Sequence, residues 1–403
     1  MVHLSFYLPL LGLLPLLQAT IVSVPYELTY LLPSRFEGNI FYTFVNGTST
    51  ANETISDLLD RAKGAPFISY DDEFLSLLGP NPEPQLVDER EVNFAAEAGV
   101  WISARNEVWY TTWINDGPTA VEILNLNDNT IRNLTSSEPL ENPNGGFYHQ
   151  GRVYFTCLRD DSRGWPGGVV AVDPETGDVE RILNSYFGLK FDNIDDVAWV
   201  TQPGTNKSYM YITILPYADS LVTNDTVPQG LWRWDPQAKT LLPVISRTEY
   251  PLANGVRPSK DQKTLWITDF GGEERSRIWG LPGKVGSPAI YSYDLDEDMW
   301  PVNRRIFGVA RMQAPDGIRI DDAGRIWTAE GEGVVVRSSA GKIIGVFNAH
   351  YFTRDPLKTA IVQFELAGDT LVILGQNKLW TLKLAEVVNE ADDGSPAGNH
   401  SES

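Results

Sequence analysis

The chain has 403 residues and a strongly acidic balance, with 53 Asp and Glu against 32 Lys and Arg and a formal net charge of -21. This balance excludes nucleic acid as a partner, because binding to a phosphate backbone needs a basic surface. The same charge favours divalent cations and neutral or cationic small molecules as ligands. Hydrophobic residues make up 42% of the chain, which is enough for a large core.

The first segment in chain order, residues 1–19, is an apolar run with a Leu-rich centre. It is short and contains Pro9 and Pro15, which indicates a cleaved secretory signal peptide rather than a membrane anchor. We therefore predict a secreted, extracellular protein without membrane contact after cleavage. Six Asn-X-Ser/Thr sequons agree with export and are candidate glycosylation sites: Asn46, Asn52, Asn133, Asn206, Asn224 and Asn399.

Two flanking segments differ from the main part of the chain. Residues 20–84 show no clean repeat and are predicted to pack as an extension on the main domain, since their aromatic content argues against an exposed linker. Residues 387–403 are small and polar and are predicted to be a disordered tail. Cys157, the only cysteine, follows an apolar strand and is predicted to be a buried small residue rather than a reactive thiol.

Residues 85–386 contain six repeats of predicted β-strands, which are separated by turns rich in Gly, Pro, Asn and Asp. The aligned central strands begin 45, 57, 55, 61 and 45 residues apart, at Val108, Val153, Met210, Leu265, Ile326 and Leu371. That spacing is typical of propeller blades of about 40–50 residues with loop insertions. The sequence therefore predicts an all-β, six-bladed propeller with four-stranded blades, and an immunoglobulin-like sandwich would not need six equivalent cycles. A strand near residues 86–92 is predicted to complete the last blade and close the ring.

Polar residues recur before the innermost strand of each cycle. Innermost strands converge on the central channel, so these side chains are expected to meet although they are far apart in the chain. The residues at this position are Glu97, Asn144, Asp195 with Asp196, Asn254 and Asp316, and the sixth cycle offers only Thr359 or Ala360. Each one alone is as readily a turn or capping residue. Together they are oxygen donors for a hard cation, with Ca²⁺ first, Mg²⁺ or Mn²⁺ next and Zn²⁺ as a further alternative.

Two sequence motifs resemble those of a known protein family. Residues 253–261 with 264–269, and residues 315–321 with 324–327, resemble the signature of the SMP-30/gluconolactonase/LRE-like calcium lactonases. Residues 70–74, 79–82 and 97–101 further resemble the secreted fungal lactonohydrolases of that family. The resemblance spans residues 67–384.

The resemblance implies metal-assisted opening of a small lactone, either a sugar-acid lactone or a related cyclic ester. It implies a calcium ion held by Glu97, Asp195, Asn254 and Asp316. In that chemistry the cation polarises the carbonyl and a carboxylate takes a proton from the attacking water. We predict Asp316 as this base, with Asp195 or Asp196 as the alternative, and Asn144 and Asp196 as substrate-binding residues. Specificity is predicted to lie in loops 217–230 and 271–287.

Three positions depart from the family pattern. Asp195 stands where an asparagine is usual, Ile214 where an acid is usual, and Ala96 where a histidine often lies. A third carboxylate at the site is expected to tighten the binding of a dication while it weakens the polarisation of the substrate carbonyl by that cation. Alternatively, repulsion between the carboxylates raises the pKa of one of them and makes it a better base. These departures keep a second hypothesis open, a non-catalytic, calcium-stabilised propeller that binds a small ligand or protein partner.

Other hydrolytic arrangements are not favoured. His149 and His350 are predicted to be structural rather than a catalytic dyad, and no Gly-X-Ser-X-Gly nucleophile elbow occurs with a suitable partner set. A related propeller chemistry, such as phosphotriester hydrolysis or a strictosidine-type reaction, is the third alternative, because one fold hosts several chemistries.

Overall fold

The computed structural model describes residues 21–389 with short gaps at 34, 114–118, 192, 216–224, 247, 250–251, 272–287 and 356–359. The predicted signal peptide, the sequons at Asn224 and Asn399, the alternative ligand Thr359 and most of both specificity loops lie outside the described residues. No helix among the described residues is long and apolar enough to cross a membrane.

Six sheets form the predicted six-bladed β-propeller, in which the four strands of each blade are antiparallel and each innermost strand packs against the innermost strands of both neighbouring blades. The innermost strands are β6 (Glu97–Ile102), β10 (Pro143–His149), β14 (Ile194–Thr201), β18 (Ala253–Pro258), β22 (Ile318–Ile320) and β26 (Gln363–Ala367). The second strands are β7 (Glu107–Thr111), β11 (Arg152–Cys157), β15 (Ser208–Ile214), β19 (Thr264–Asp269), β23 (Ile326–Glu330) and β27 (Thr370–Leu374). The third strands are β8 (Val121–Asn125), β12 (Gly168–Val172), β16 (Gly230–Asp235), β20 (Ala289–Leu295), β24 (Gly333–Arg337) and β28 (Lys378–Lys383).

The outer strands show how the ring closes. They are β9 (Ile131–Asn133), β13 (Val179–Leu183), β17 (Thr240–Ser246), β21 (Pro301–Val309), β25 (Ile343–Asn348) and β5 (Gln85–Glu89). Strand β5 precedes blade one in the chain but pairs antiparallel with β28 of blade six, as predicted. This closure leaves no unpaired edge between the first and last blades.

The N-terminal extension enlarges blade five to six strands. Its strands are β1 (Ile21–Ser23), β2 (Phe36–Glu37), β3 (Ser49–Thr50) and β4 (Phe67–Ser69). Its helices are α1 (Phe44–Gly47), α2 (Glu53–Lys63) and α3 (Asp72–Leu78), while α4 (Ala349–Phe352) follows β25. Strand β4 pairs antiparallel with β25, and β1 pairs parallel with β4. Two short 3-10 helices cover Tyr26–Thr29 and Ser103–Arg105.

Capping and packing define where the helices of the extension begin and how they dock. Asn52 caps α2 by accepting a hydrogen bond from the Ile55 amide at 3.1 Å, and the buried face of α2 includes Leu59. The α3 residue Phe74 packs edge-to-face on Phe347 of β25, with ring centroids 5.2 Å apart. These contacts bury the apolar faces of the extension against the propeller.

The main hydrophobic core lies between blades five and six. Trp327 is fully buried and stacks on Phe347, with ring centroids 5.7 Å apart, and Phe364 lies on its other flank. The Trp327 indole nitrogen donates to Asp321 Oδ2 at 2.9 Å, so its polar atom is satisfied within the core.

Two boundaries differ from the sequence prediction. Val388 is fully buried and Asn389 Nδ2 donates to the Leu366 carbonyl at 2.8 Å, so the boundary predicted at residue 387 cuts off residues that pack on blade six. A single apolar residue in a polar stretch does not reveal such docking. Strand β26 begins at Gln363 rather than at the predicted Ile361.

Candidate active site

A β-bulge lies at the same end of the innermost strand in each of the first four blades. The register shifts between Glu97 and Val100, between Pro143 and Gly146, between Ile194 and Val197, and between Ala253 and Val256. A bulge bends its strand and redirects a side chain, which is how propellers and barrels place functional groups at their rims. The predicted site residues of these four blades therefore lie at or within a bulged strand, whereas the sequence prediction placed them before it.

Threonines of the second strands hold the backbone of the predicted site residues. Thr111 Oγ1 donates to the Asn144 carbonyl at 3.0 Å, and Thr156 Oγ1 donates to the Asp195 carbonyl at 2.9 Å. Thr268 Oγ1 donates to the Asp316 carbonyl at 2.7 Å. Each bond runs from one blade to the next, so the relative position of the blades is set at the level of the site.

Close contacts between neighbouring blades bring the predicted residues together in pairs. Asn144 Nδ2 donates to the Asp195 carbonyl at 3.1 Å and to Asp195 Oδ1 at 3.3 Å. A Cβ atom on Gly255, the residue after Asn254, would lie 2.6 Å from the Asp316 carbonyl oxygen. The predicted residues of blades two and three, and those of blades four and five, therefore lie side by side, and the Asn and Asp residues among them are each at most 7% exposed.

Glu97 completes this group electrostatically from blade one. Burial raises its pKa well above the ordinary range, and the negative charges of Asp316, Asp195 and Asp196 raise it further. Arg319 acts in the opposite direction. The carboxylates of blades one, three and five thus act on one another's charge across the channel.

Asp196 has a role that the sequence did not predict. Its Oδ2 accepts hydrogen bonds from Arg257 Nη1 at 2.7 Å and from the Val256 amide at 3.2 Å, while its Oδ1 accepts from the Val197 amide at 2.9 Å. Oδ2 therefore holds blade three to blade four, while Oδ1 is engaged within blade three. The prediction that Asp196 binds substrate or acts as a base stays a prediction.

The chemistry of the inner segments fits a hard dication. Their charged residues are the five acids Glu97, Asp195, Asp196, Asp316 and Glu365 and the two bases Arg257 and Arg319. Five negative and two positive groups leave three negative charges when all are ionised, a buried excess that a bound cation or protonation of the acids would offset. Within the described residues, no group of three or more His, Cys, Asp or Glu lies close enough together to hold a metal ion by itself. The donors that the predicted residues offer are carboxylate and amide oxygens, which are the ligands that a hard dication prefers.

The sequence missed three contributors to this region. Gln363, in blade six, is 2% exposed and faces Gly317, where an added Cβ atom would lie 2.1 Å from Gln363 Oε1. Arg257 and Arg319 each follow a predicted ligand by three residues. The sequence shows this shared spacing, but the spacing alone does not predict that both arginine side chains are buried between the inner strands.

The structure also places the cysteine, a histidine and four of the sequons named from the sequence. Cys157 is buried, as predicted, and burial raises the pKa of its thiol to about 12. His149 stacks on Trp199 with ring centroids 4.8 Å apart, and burial lowers its pKa to about 4, so it is neutral at physiological pH. Among the sequons, Asn52, Asn133 and Asn206 are exposed, whereas Asn46 is half-buried and donates to Thr43 Oγ1 at 2.7 Å.

Comparison with known proteins confirms the family resemblance. Residues 195–353 match the family model described as the SMP-30/Gluconolactonase/LRE-like region. Lactonohydrolase oryL of Aspergillus oryzae is 25% identical over 319 residues, which cover 74% of this chain and 70% of the relative. Lactonohydrolase oryH of the same organism is 23% identical over 363 residues, covering 73% of this chain and 76% of the relative.

The fold also has counterparts among solved structures. A gluconolactonase from Xanthomonas campestris superposes with a TM-score of 0.61 at 18% sequence identity, covering 79% of this chain and 94% of its own. At this level of sequence identity the similarity establishes the propeller fold, and the reaction has to be argued from the residues of the site.

Proposed function

We propose that this chain is a secreted, calcium-dependent hydrolase that opens a small lactone, either a sugar-acid lactone or a related cyclic ester. The observation that supports the proposal is the position of Glu97, Asp195 and Asn254 at the bulges of the inner strands, at the same end of each strand. The names of the two fungal lactonohydrolases supply the reaction class. The N-terminal apolar run and the exposed sequons support export and glycosylation.

Glu97, Asp195, Asn254 and Asp316 are the residues that would hold the cation, because their donors are carboxylate and amide oxygens. When bound, such an ion supplies positive charge for the carbonyl oxygen of the lactone. The buried acids keep this end of the channel negative, so it attracts a dication and leaves a neutral ester unrepelled.

Asp316 is the proposed general base. It takes a proton from a water molecule, whose oxygen then attacks the carbonyl carbon of the lactone. The ring C–O bond breaks, the leaving oxygen receives a proton, and the product is the open hydroxy acid. Asp195 is the alternative base, and its carboxylate is oriented by Asn144 Nδ2. Asn144 and Asp196 are the proposed substrate-binding residues.

The test is hydrolysis of a lactone panel by the purified protein, followed by pH-stat titration. We expect turnover that EDTA abolishes and added calcium restores. Asp316→Asn is expected to lower kcat by about 100-fold or more, because a general base contributes about 10²–10⁴-fold. Glu175→Gln, which neutralises a carboxylate that is 72% exposed, is the control and should keep full activity. Robust turnover by Asp316→Asn would refute the assigned role.

A binding propeller without turnover is the second candidate, and Ile214 favours it. Where the family pattern has an acid, Ile214 is fully buried in an apolar cluster with Ile194. Blade three therefore offers no carboxylate at that position. A protein that calcium stabilises against heat, but that hydrolyses no lactone in the panel, would support this candidate over the enzyme.

A further inference from the structure

Two buried arginines occupy the same position in neighbouring blades. Arg257 follows Asn254 by three residues, and Arg319 follows Asp316 by three residues. Their exposed fractions are 5% and 7%, and both lie on innermost strands. A guanidinium group buried this deeply is stable only when its donors are satisfied, so its contacts show what it holds.

Arg257 joins blades two, three and four. Its Nη1 donates to Asp196 Oδ2 at 2.7 Å and to the Val197 carbonyl at 3.1 Å on β14. Its Nη2 donates to the Gly146 carbonyl on β10 at 3.0 Å. Because Arg257 itself belongs to β18, one side chain connects the strands that carry Asn144, Asp195 and Asn254.

Arg319 makes the corresponding connections through blades five, six and one. Its Nε donates to Glu365 Oε2 on β26 at 2.8 Å. Its Nη2 donates to the Ala98 carbonyl at 2.9 Å and to the Gly99 carbonyl at 2.6 Å, directly after Glu97. Together, the two guanidinium groups bond to all six innermost strands.

The backbone after Glu97 depends on this contact. Ala98 and Gly99 have φ angles of +64° and +63°, in the left-handed region. For a residue with a Cβ atom, such as Ala98, this conformation costs about 1–2 kcal/mol. Arg319 donates a hydrogen bond to the carbonyl group of each of these residues, and this stabilises the bulge that lies between Glu97 and Val100.

We infer that Arg257 and Arg319 are positioning residues that set the geometry of the cation-binding oxygens by tying the six inner strands together in two groups of three. The inference rests on the proposed cation site and concerns residues that do not themselves touch substrate. Partners of this kind behind metal ligands typically change metal affinity or activity by about 10–100-fold when they are removed.

Charge and geometry make opposite predictions for these arginines. Removing a positive charge beside the acids of the inner segments strengthens the attraction for a dication, whereas releasing the strands moves the oxygen donors apart and weakens binding. A lysine keeps the charge but has no planar fork that reaches several carbonyl groups at once. The direction of the change in calcium affinity therefore separates the two roles.

The experiment measures calcium affinity by calorimetry, and kcat on the best lactone, for Arg257→Lys and Arg319→Lys. Each variant is expected to lose tenfold or more in both quantities. Arg233→Lys is the matched control: Arg233 is 7% exposed and bonds to the Asp298 and Met299 carbonyls at 2.7 and 2.9 Å, but it lies on a third strand. The control should stay within twofold of the wild type.

A second pair of variants covers the case in which a lysine variant fails to fold. Arg257→Met and Arg319→Met remove the charge, so weaker calcium binding in them supports positioning and tighter binding overturns it. Lysine variants that bind calcium within twofold of the wild type also overturn it.

Hydrogen–deuterium exchange of the metal-free protein gives a readout that does not depend on any reaction. Faster exchange over residues 97–102 and 143–149 is expected in the arginine variants, and unchanged exchange there would overturn the inference even if the wild type bound no calcium. A wild type that binds calcium but opens no lactone would refute the proposed function alone.

Discussion

Gly145→Ala is the sharpest single test of how the blades create the site. Gly145 follows Asn144, and a Cβ atom there would lie 2.4 Å from the Asp195 carbonyl oxygen and 2.9 Å from the Asp196 Cα atom. Both are backbone atoms, so no side-chain rotation relieves the overlap. An ordinary contact begins at 3.4 Å, so strands β10 and β14 must separate by about 1 Å.

This separation displaces Asn144 and Asp195 relative to each other. Overpacking of this kind costs about 1–3 kcal/mol of unfolding free energy, and a 1 Å displacement of reacting groups can cost about 100-fold in rate. The assays are urea denaturation, calcium titration and lactone turnover. Gly64→Ala is the control, since an added Cβ atom meets nothing within 4 Å at that position. Wild-type calcium affinity and turnover in Gly145→Ala would refute the reasoning.

Three further outcomes are expected. Calcium at 100 times its Kd should raise the unfolding free energy by about 2.7 kcal/mol, because it binds the folded protein. The same melting temperature in calcium and in EDTA would contradict a calcium site in the folded protein. Trp327→Ala should lower the unfolding free energy by about 3–5 kcal/mol in urea, because it empties a fully buried core position; a loss below 1 kcal/mol would contradict the packing. Burial raises the pKa of the Glu332 carboxyl group to about 7, although the charge of Arg311 opposes the shift. The folded protein therefore holds this proton more tightly than the unfolded chain does. The stability that the proton contributes is complete below pH 4.5 and is lost as the pH rises through 7. Glu332→Gln should flatten the decline in stability between pH 5 and 8, measured by urea denaturation at each pH, and an unchanged slope would contradict the assignment.

The architecture follows from local pattern. Six recurrences of an aromatic or aliphatic strand at blade spacing are enough to predict the propeller, because each blade must bury its faces against equivalent neighbours. The return of β5 to blade six could be predicted for the same reason, since an incomplete last blade would leave an edge open. The position of the extension does not follow from local pattern, because β4 pairs with β25 far along the chain and β1 joins the sheet only through β4.

The sequence by itself determined the fold class, the buried character of Cys157 and which polar residues share one end of the inner strands. Those features depend on period, composition and position within a repeat. Only the tertiary structure decided that Asp196 pairs with Arg257, that Arg319 bonds beside Glu97 and that Gln363 occupies the sixth position. The physical reason is that a long side chain in a closed ring can reach several strands, and its partner is selected by blade geometry and burial rather than by distance along the chain.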